Sequence, residues 1–108
     1  MAYSKTELFD NKLNSAAVLF KALGHPARLA ILKYLAETQV CITGDISGEI
    51  PLSRTTVNQH LKELKNSGLI RGTVEGVKVN YCLNPKKIKA LARMIATFLS
   101  EIDVDIKC

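Results

Sequence analysis

Five polar side chains in one short segment are of types and spacing that could act together: Arg54, Thr55, Asn58, Gln59 and Lys62. Guanidinium, amide and hydroxyl groups present the donors and acceptors that match nucleic-acid base edges and phosphates. Arg54 can pair with O6 and N7 of a guanine, and Asn58 or Gln59 with an adenine. The surrounding residues show how such a set would be held. Ser53 is a good N-cap, and neither Pro nor Gly interrupts Arg54 to Asn66. Val57, Leu61 and Leu64 recur at helical spacing, which leaves the five polar residues on the other face. Gly68 is placed to stop that helix. Leu69 to Val74 and Val77 to Leu83 then read as strands joined by a Glu75-Gly76 turn. The expectation is a recognition helix over about residues 53–66 followed by a β-wing over about 69–83. Ser53 and Thr56 complete the expected contact set at the helix start. Phosphate contacts are expected from Lys62, Arg71, Lys78 and the N–H groups that open the helix. The wing tip, Glu75 to Lys78 with Gly76 at its turn, is expected to approach the backbone or minor groove.

Charge is concentrated in the same segment. The chain of 108 residues carries a net +5. From Ser53 to Lys89 there are eight cations: Arg54, Lys62, Lys65, Arg71, Lys78, Lys86, Lys87 and Lys89. Only Glu63 and Glu75 oppose them, so this stretch carries +6 and the rest about −1. Attraction to phosphate would require such a distribution. A solvated helix face is the plainer alternative, and a winged-helix module that contacts protein is another. A protein-binding surface would not need so many cations in one segment.

Other elements must position this head. A first helix is expected from Thr6 or Asp10 to Leu23, with Leu13, Ala16, Ala17, Phe20 and Leu23 on its apolar face. Gly24-His25-Pro26 breaks it, and Pro26 suits the first turn of a second helix over Ala27 to Glu37, with Ile31, Leu32 and Leu35 inward. Gln39 to Ile42 reads as a short β-like run. Thr43 can cap a brief helix over Gly44 to Ile50, ended by Pro51, and a tight turn there makes a helix-turn-helix with the recognition helix. Asn84-Pro85 opens a last helix bearing Ile88, Leu91, Ala92, Ile95, Leu99 and Ile102. The expected fold is therefore mainly α with a small β-hairpin, a single winged helix-turn-helix domain over residues 1–108 in the order α-α-α-α-β-β-α. The terminal helices, about 7–23 and 86–102, carry more apolar surface than such a small core can cover. A homodimer through those helices is the simplest solution, with Leu13, Phe20, Ile88, Leu91, Ile95 and Leu99 at the interface.

Several function classes are disfavoured. Hydrophobic residues make up 47% of the chain, too many for a disordered tail. No apolar run is long enough to span a bilayer and no signal peptide opens the chain, so no membrane partner and a cytoplasmic location are expected. Cys41, Cys82 and Cys108 are odd in number and far apart, which favours free thiols over a disulfide framework. No Gly-rich phosphate loop, nucleophile elbow or oriented Cys-His pair is present, so no enzyme and no cofactor are expected. His60 lies on or beside the apolar stripe and reads as a packing residue. His25 reads as a cap residue. Arg28 touches either a phosphate or a carboxylate, two readings that the sequence leaves open. Tyr81 is expected to pack in the wing.

With these residues in place, the chain resembles the arsenic-repressor (ArsR/SmtB) winged-helix family. Phe20-Lys-Ala-Leu-Gly-His-Pro-Ala-Arg-Leu-Ala-Ile-Leu32 is similar to its opening block. Leu52-Ser-Arg-Thr-Thr-Val-Asn-Gln-His-Leu-Lys-Glu-Leu64 is similar to its recognition helix, and Gly68-Leu-Ile, Glu75-Gly and Val79-Asn-Tyr to its wing. The resemblance implies a dimeric repressor on a palindromic operator of double-stranded DNA, released by an inducer that is often a metal or metalloid. The familiar ligand sets are missing. The Cys-Val-Cys-Asp-Leu motif of the metalloid sensors corresponds here to Ile42-Thr-Gly-Asp-Ile46, so Ile42 and Gly44 occupy the ligand positions. The other common site uses Asp, His and Glu on the last helix. From Pro85 to Glu101 the only such residue is Glu101. No metal is expected and the inducer stays unassigned, with a thiol-based metalloid or redox sensor as the alternative.

Overall fold

A computed structural model describes residues 8–38, 42–43, 49–75 and 78–107. Helix α1 (Asn11–Leu23) opens where the Asp10 carboxylate accepts the Lys12 N–H at 2.9 Å. Asp10 is thus the cap; Leu8 and Phe9 precede the α-helix, and Thr6 lies outside the described residues. Gly24 closes the helix by donating its N–H to the Lys21 carbonyl. Helix α2 (Pro26–Thr38) follows at once. Its first free N–H groups are met by His25: Nδ1 accepts from Ala27 N at 3.0 Å and the carbonyl accepts from Arg28 N at 3.0 Å. His25 is the cap residue that its place before Pro26 implies.

Strand β1 (Ile42–Thr43) is the described end of the expected β-like run. The brief helix expected over 44–50 falls mostly on residues 44–48, outside the described residues. Glu49 and Ile50 form a turn, and Leu52 N donates to Ile50 O at 2.7 Å.

Helix α3 (Arg54–Asn66) has Ser53 as N-cap, its Oγ accepting from Thr56 N at 3.3 Å. It ends through Gly68, whose φ of +83° lies in the left-handed region. There Gly68 N donates to Lys65 O and Leu69 N to Leu64 O, satisfying two terminal carbonyls. Leu64 and Leu69, at the two ends of the longer bond, are both fully buried and pack in one core cluster. Strands β2 (Ile70–Glu75) and β3 (Lys78–Leu83) pair antiparallel from Ile70 opposite Leu83 to Glu75 opposite Lys78. The wing is wider than a hairpin: β1 joins the other edge of β3, with Ile42 opposite Tyr81, so the sheet order is β1-β3-β2. Tyr81 packs against the core. Helix α4 (Pro85–Ile102) starts at the Asn84 cap, with Pro85 where a missing N–H costs nothing.

The core joins Leu19 and Ala22 of α1, Ile31 and Leu35 of α2, Ile50 of the turn before α3, Val57, Leu61 and Leu64 of α3, Leu69 and Ile70, and Leu91 of α4. Two features correct the sequence reading. On α1 the residues buried in the protomer are Ala16, Leu19 and Ala22; Leu13 and Ala17 stay exposed and Phe20 half-buried. Of the expected face, Ala16 is buried and Phe20 and Leu23 pack against the core, while Leu19 and Ala22 join from beside it, because apolar residues on more than one face of an α-helix leave periodicity ambiguous. Cys82 is disulfide-bonded, where free thiols are the sequence expectation; its partner lies outside the described residues.

The terminal helices stand out from this core. Phe20 and Phe98 meet edge to face with ring centroids 5.9 Å apart, joining α1 to α4. Beside them runs an apolar groove of about 310 Å³ lined by Phe9, Leu13, Ala16, Ala17 and both phenyl rings. The radius of gyration is 16.6 Å, against roughly 13 Å for a compact domain of this length.

Candidate nucleic-acid interface

Helix α3 presents two opposite stripes. Val57, His60, Leu61 and Leu64 occupy positions i, i+3, i+4 and i+7 and are all buried. Thr55, Asn58, Gln59 and Lys62 repeat the same spacing two residues earlier, about 200° around the helix, and are all exposed. Burial of one stripe therefore forces presentation of the other. Arg54 is exposed at the helix start, and Lys62 lies two turns on, roughly 12 Å along the axis. Ser53 and Thr56 are engaged with each other: their hydroxyls lie 2.9 Å apart while Ser53 caps the helix. They shape the N-terminus of α3.

The wing root is organised by Asn84. Its Oδ1 accepts from Arg71 Nη2 at 3.1 Å and caps α4 through Lys87 N at 3.5 Å. Its Nδ2 donates to Gly68 O at 3.0 Å. One side chain thus ties together the end of α3, strand β2 and the start of α4. Arg71 is exposed, and this contact fixes one of its nitrogens while the guanidinium keeps further donors. The Lys65 stem runs over Gly72, with Cδ 3.3 Å from where a β-carbon would sit. Exposed Lys86 and Lys89 add charge beside the wing. Lys78 belongs to β3, and Gly76 lies outside the described residues.

A contact that sequence reasoning missed supports the recognition helix from behind. Arg28 Nε donates to His60 Nδ1 at 3.1 Å, and Arg28 Nη1 donates to the carbonyls of Lys21 at 3.0 Å and Ala22 at 3.4 Å. Among the described residues the partners of Arg28 are an imidazole and two carbonyls rather than a carboxylate. It bridges the end of α1, where a cation complements the helix dipole, to α3. The rings of His25 and His60 are 4.2 Å apart. Burial lowers the pKa of His60 below 6.5, His25 and Arg28 lower it further, and Glu63 opposes them. Only the position of His60 on the core stripe hints at this in the sequence.

The residues expected at a dimer interface divide. Leu13 and Leu99 are exposed, and Phe20, Ile88 and Ile95 are half-buried against the core. Leu91 is 6% exposed and belongs to the protomer's own core.

The model of the bacterial regulatory protein, arsR family, matches residues 25–71, which run from the His25 cap to Arg71 at the wing root. An uncharacterised HTH-type transcriptional regulator of Methanocaldococcus jannaschii is 33% identical over 84 residues, 78% of this chain and 94% of that protein. The transcriptional activator HlyU of Vibrio cholerae is 32% identical over 80 residues, 74% of this chain and 73% of that protein. Among solved structures, an ArsR-like transcriptional regulator from Rhodococcus sp. RHA1 superposes with a TM-score of 0.71. It covers 87% of this chain and 88% of its own at 23% identity, a likeness of fold. With a family model spanning the helix-turn-helix core and a relative matched over nearly its whole length, the chain belongs to the arsR family of bacterial regulatory proteins and is a winged helix-turn-helix transcriptional regulator, not an enzyme.

Proposed function

We propose that this protein is a repressor that binds a palindromic operator as a homodimer. The observation that carries the reading is the exposed stripe Thr55, Asn58, Gln59 and Lys62, held outward by burial of the opposite stripe. Arg54, Thr55, Asn58 and Gln59 read bases; Lys62, Arg71, Lys78 and the N–H groups around Ser53 and Thr56 position the backbone. The dimer reading is supported by apolar side chains left in water: Leu13, Val18, Leu99 and Ile102 on the terminal helices are each at least half exposed, and a partner would cover them. A two-fold axis through α1 and α4 would set two α3 helices on successive major grooves, about 34–36 Å apart. The test is selection of duplexes from a random pool by the purified protein, followed by footprinting and transcription from a promoter carrying the selected site. Two symmetric half-sites about one helical turn apart and lowered transcription are expected. An asymmetric site, or raised transcription as the name of HlyU would imply for that relative, would overturn the operator or the repressor reading respectively.

One observation favours a second reading of the signal: the disulfide at Cys82, on the strand that pairs with both β1 and β2. Oxidation of two thiols by hydrogen peroxide yields a disulfide and two water molecules, so the wing could report redox state. Operator affinity that is equal with and without a reducing agent, and unaltered by Cys82→Ser, would exclude it.

A further inference from the structure

We propose that Arg28 and His60 form a proton-sensitive latch that seats the recognition helix on α2, and that protonating His60 loosens the seat and weakens DNA binding. The proposal rests on α3 being the DNA-reading helix. The Arg28 guanidinium offers donors and no acceptor. Its Nε–H can bond His60 Nδ1 at 3.1 Å only if that nitrogen is bare, so His60 is neutral with its proton on Nε2. His60 is 8% exposed and has little water to stabilise a charge. Arg28 cannot turn away cheaply, because Nη1 is held by the Lys21 and Ala22 carbonyls.

The charged and titratable groups acting on His60 are His25 and Arg28 from the start of α2 and Glu63 from α3 itself. A proton on Nδ1 would set two N–H donors head to head and place a second cation against the guanidinium. The His25 ring, 4.2 Å away, offers no relief, since its Nδ1 already accepts the Ala27 N–H. Only Glu63 favours the charged form, and the pKa is lowered accordingly. The sign follows. The folded protein holds His60 neutral while the unfolded chain protonates it near 6.5, so stability is complete above that pH and is lost as pH falls toward the folded value. The lost contact bears on the buried stripe of α3, and any shift there moves Asn58 and Gln59 on the opposite side.

The experiment follows the imidazole resonances of the full chain by NMR against pH. In parallel it measures Kd for a duplex selected from a random pool on wild type. Wild type is compared with His60→Asn, whose Oδ1 can stand near the Nδ1 position without titrating. The His60 midpoint is expected below 6.5. Half a pH unit under that midpoint, wild type should bind roughly fourfold more weakly than at pH 7.5, after division by the same ratio for His60→Asn. Should the Asn variant not fold, Arg28→Gln serves instead and should raise the midpoint of His60. A midpoint at or above 6.5, an unmoved midpoint in Arg28→Gln, or equal acid weakening in wild type and His60→Asn overturns the latch. Failure of wild type to bind any duplex at pH 7.5 overturns the DNA reading, and the NMR midpoint then judges the Arg28–His60 contact alone.

Discussion

Replacing Asn84 by Ala tests whether one side chain couples the recognition helix, the wing and the last helix. Asn84 makes three hydrogen bonds: it donates to Gly68 O at 3.0 Å, accepts from Arg71 Nη2 at 3.1 Å and accepts from Lys87 N at 3.5 Å. Removal of an N-cap side chain costs about 0.5–2 kcal/mol, and the long Lys87 contact places this one at the low end. The half-buried contact to the Gly68 carbonyl adds about 1 kcal/mol, and the exposed Arg71 contact about 0.5. The sum is near 2 kcal/mol, roughly a 10 °C fall in Tm for a domain of this size. The assay is thermal unfolding at one fixed protein concentration, because any dimer makes Tm concentration-dependent. Asn84→Asp supplies the internal control. It keeps both acceptor contacts, loses the donor, and sets a carboxylate against the Gly68 carbonyl, so it should lose about 1–2 kcal/mol despite an improved partner for Arg71. An Asp variant as stable as wild type, or an Ala variant within about 0.5 kcal/mol of it, would refute the coupling. The Ala variant also releases Arg71, which should leave or raise the salt dependence of DNA binding but not lower it.

Lys62→Ala and Lys78→Ala should each weaken binding to all duplexes and lower the slope of log K against log salt by roughly 1; a change in sequence preference at constant slope would show that the residue reads bases. Asn58→Ala and Gln59→Ala should cost about 1–3 kcal/mol on the selected site and much less on random DNA, measured as the ratio of the two affinities. Leu99→Glu should yield monomers by sedimentation, because Leu99 is 53% exposed and a charge there harms only a surface that a partner covers. Ile95→Glu is less informative, since Ile95 packs on the core. Zn(II) at micromolar concentration should not release the selected duplex, because Ile42 and Gly44 provide no side-chain ligands. Release by As(III) of wild type but not of a triple Cys41→Ser, Cys82→Ser, Cys108→Ser variant would reveal a thiolate site.

Local signals in the sequence determined the elements that end in recognisable residues. Ser53 and Gly68 bound α3 as cap and stop because an unpaired helix terminus needs an acceptor at one end and a left-handed residue at the other. The same holds for Asn84-Pro85 and for His25-Pro26. The polar reading face was legible too, since burying one stripe of a helix fixes the opposite one. Tertiary structure decided what depends on distant partners. Apolar residues on several faces of α1 left the choice of buried face to packing, and Leu19 went inward while Leu13 stayed out. Leu91 turned to its own core although its spacing matched the stripe expected at a dimer interface. β1 joined the wing because β3 offered a free edge, which no local pattern announces. Arg28 and His60 are 32 residues apart, and only the crossing of α2 with α3 brings a guanidinium to an imidazole. Sequence periodicity records which residues share a face, whereas which groups meet across faces is set by how the elements cross.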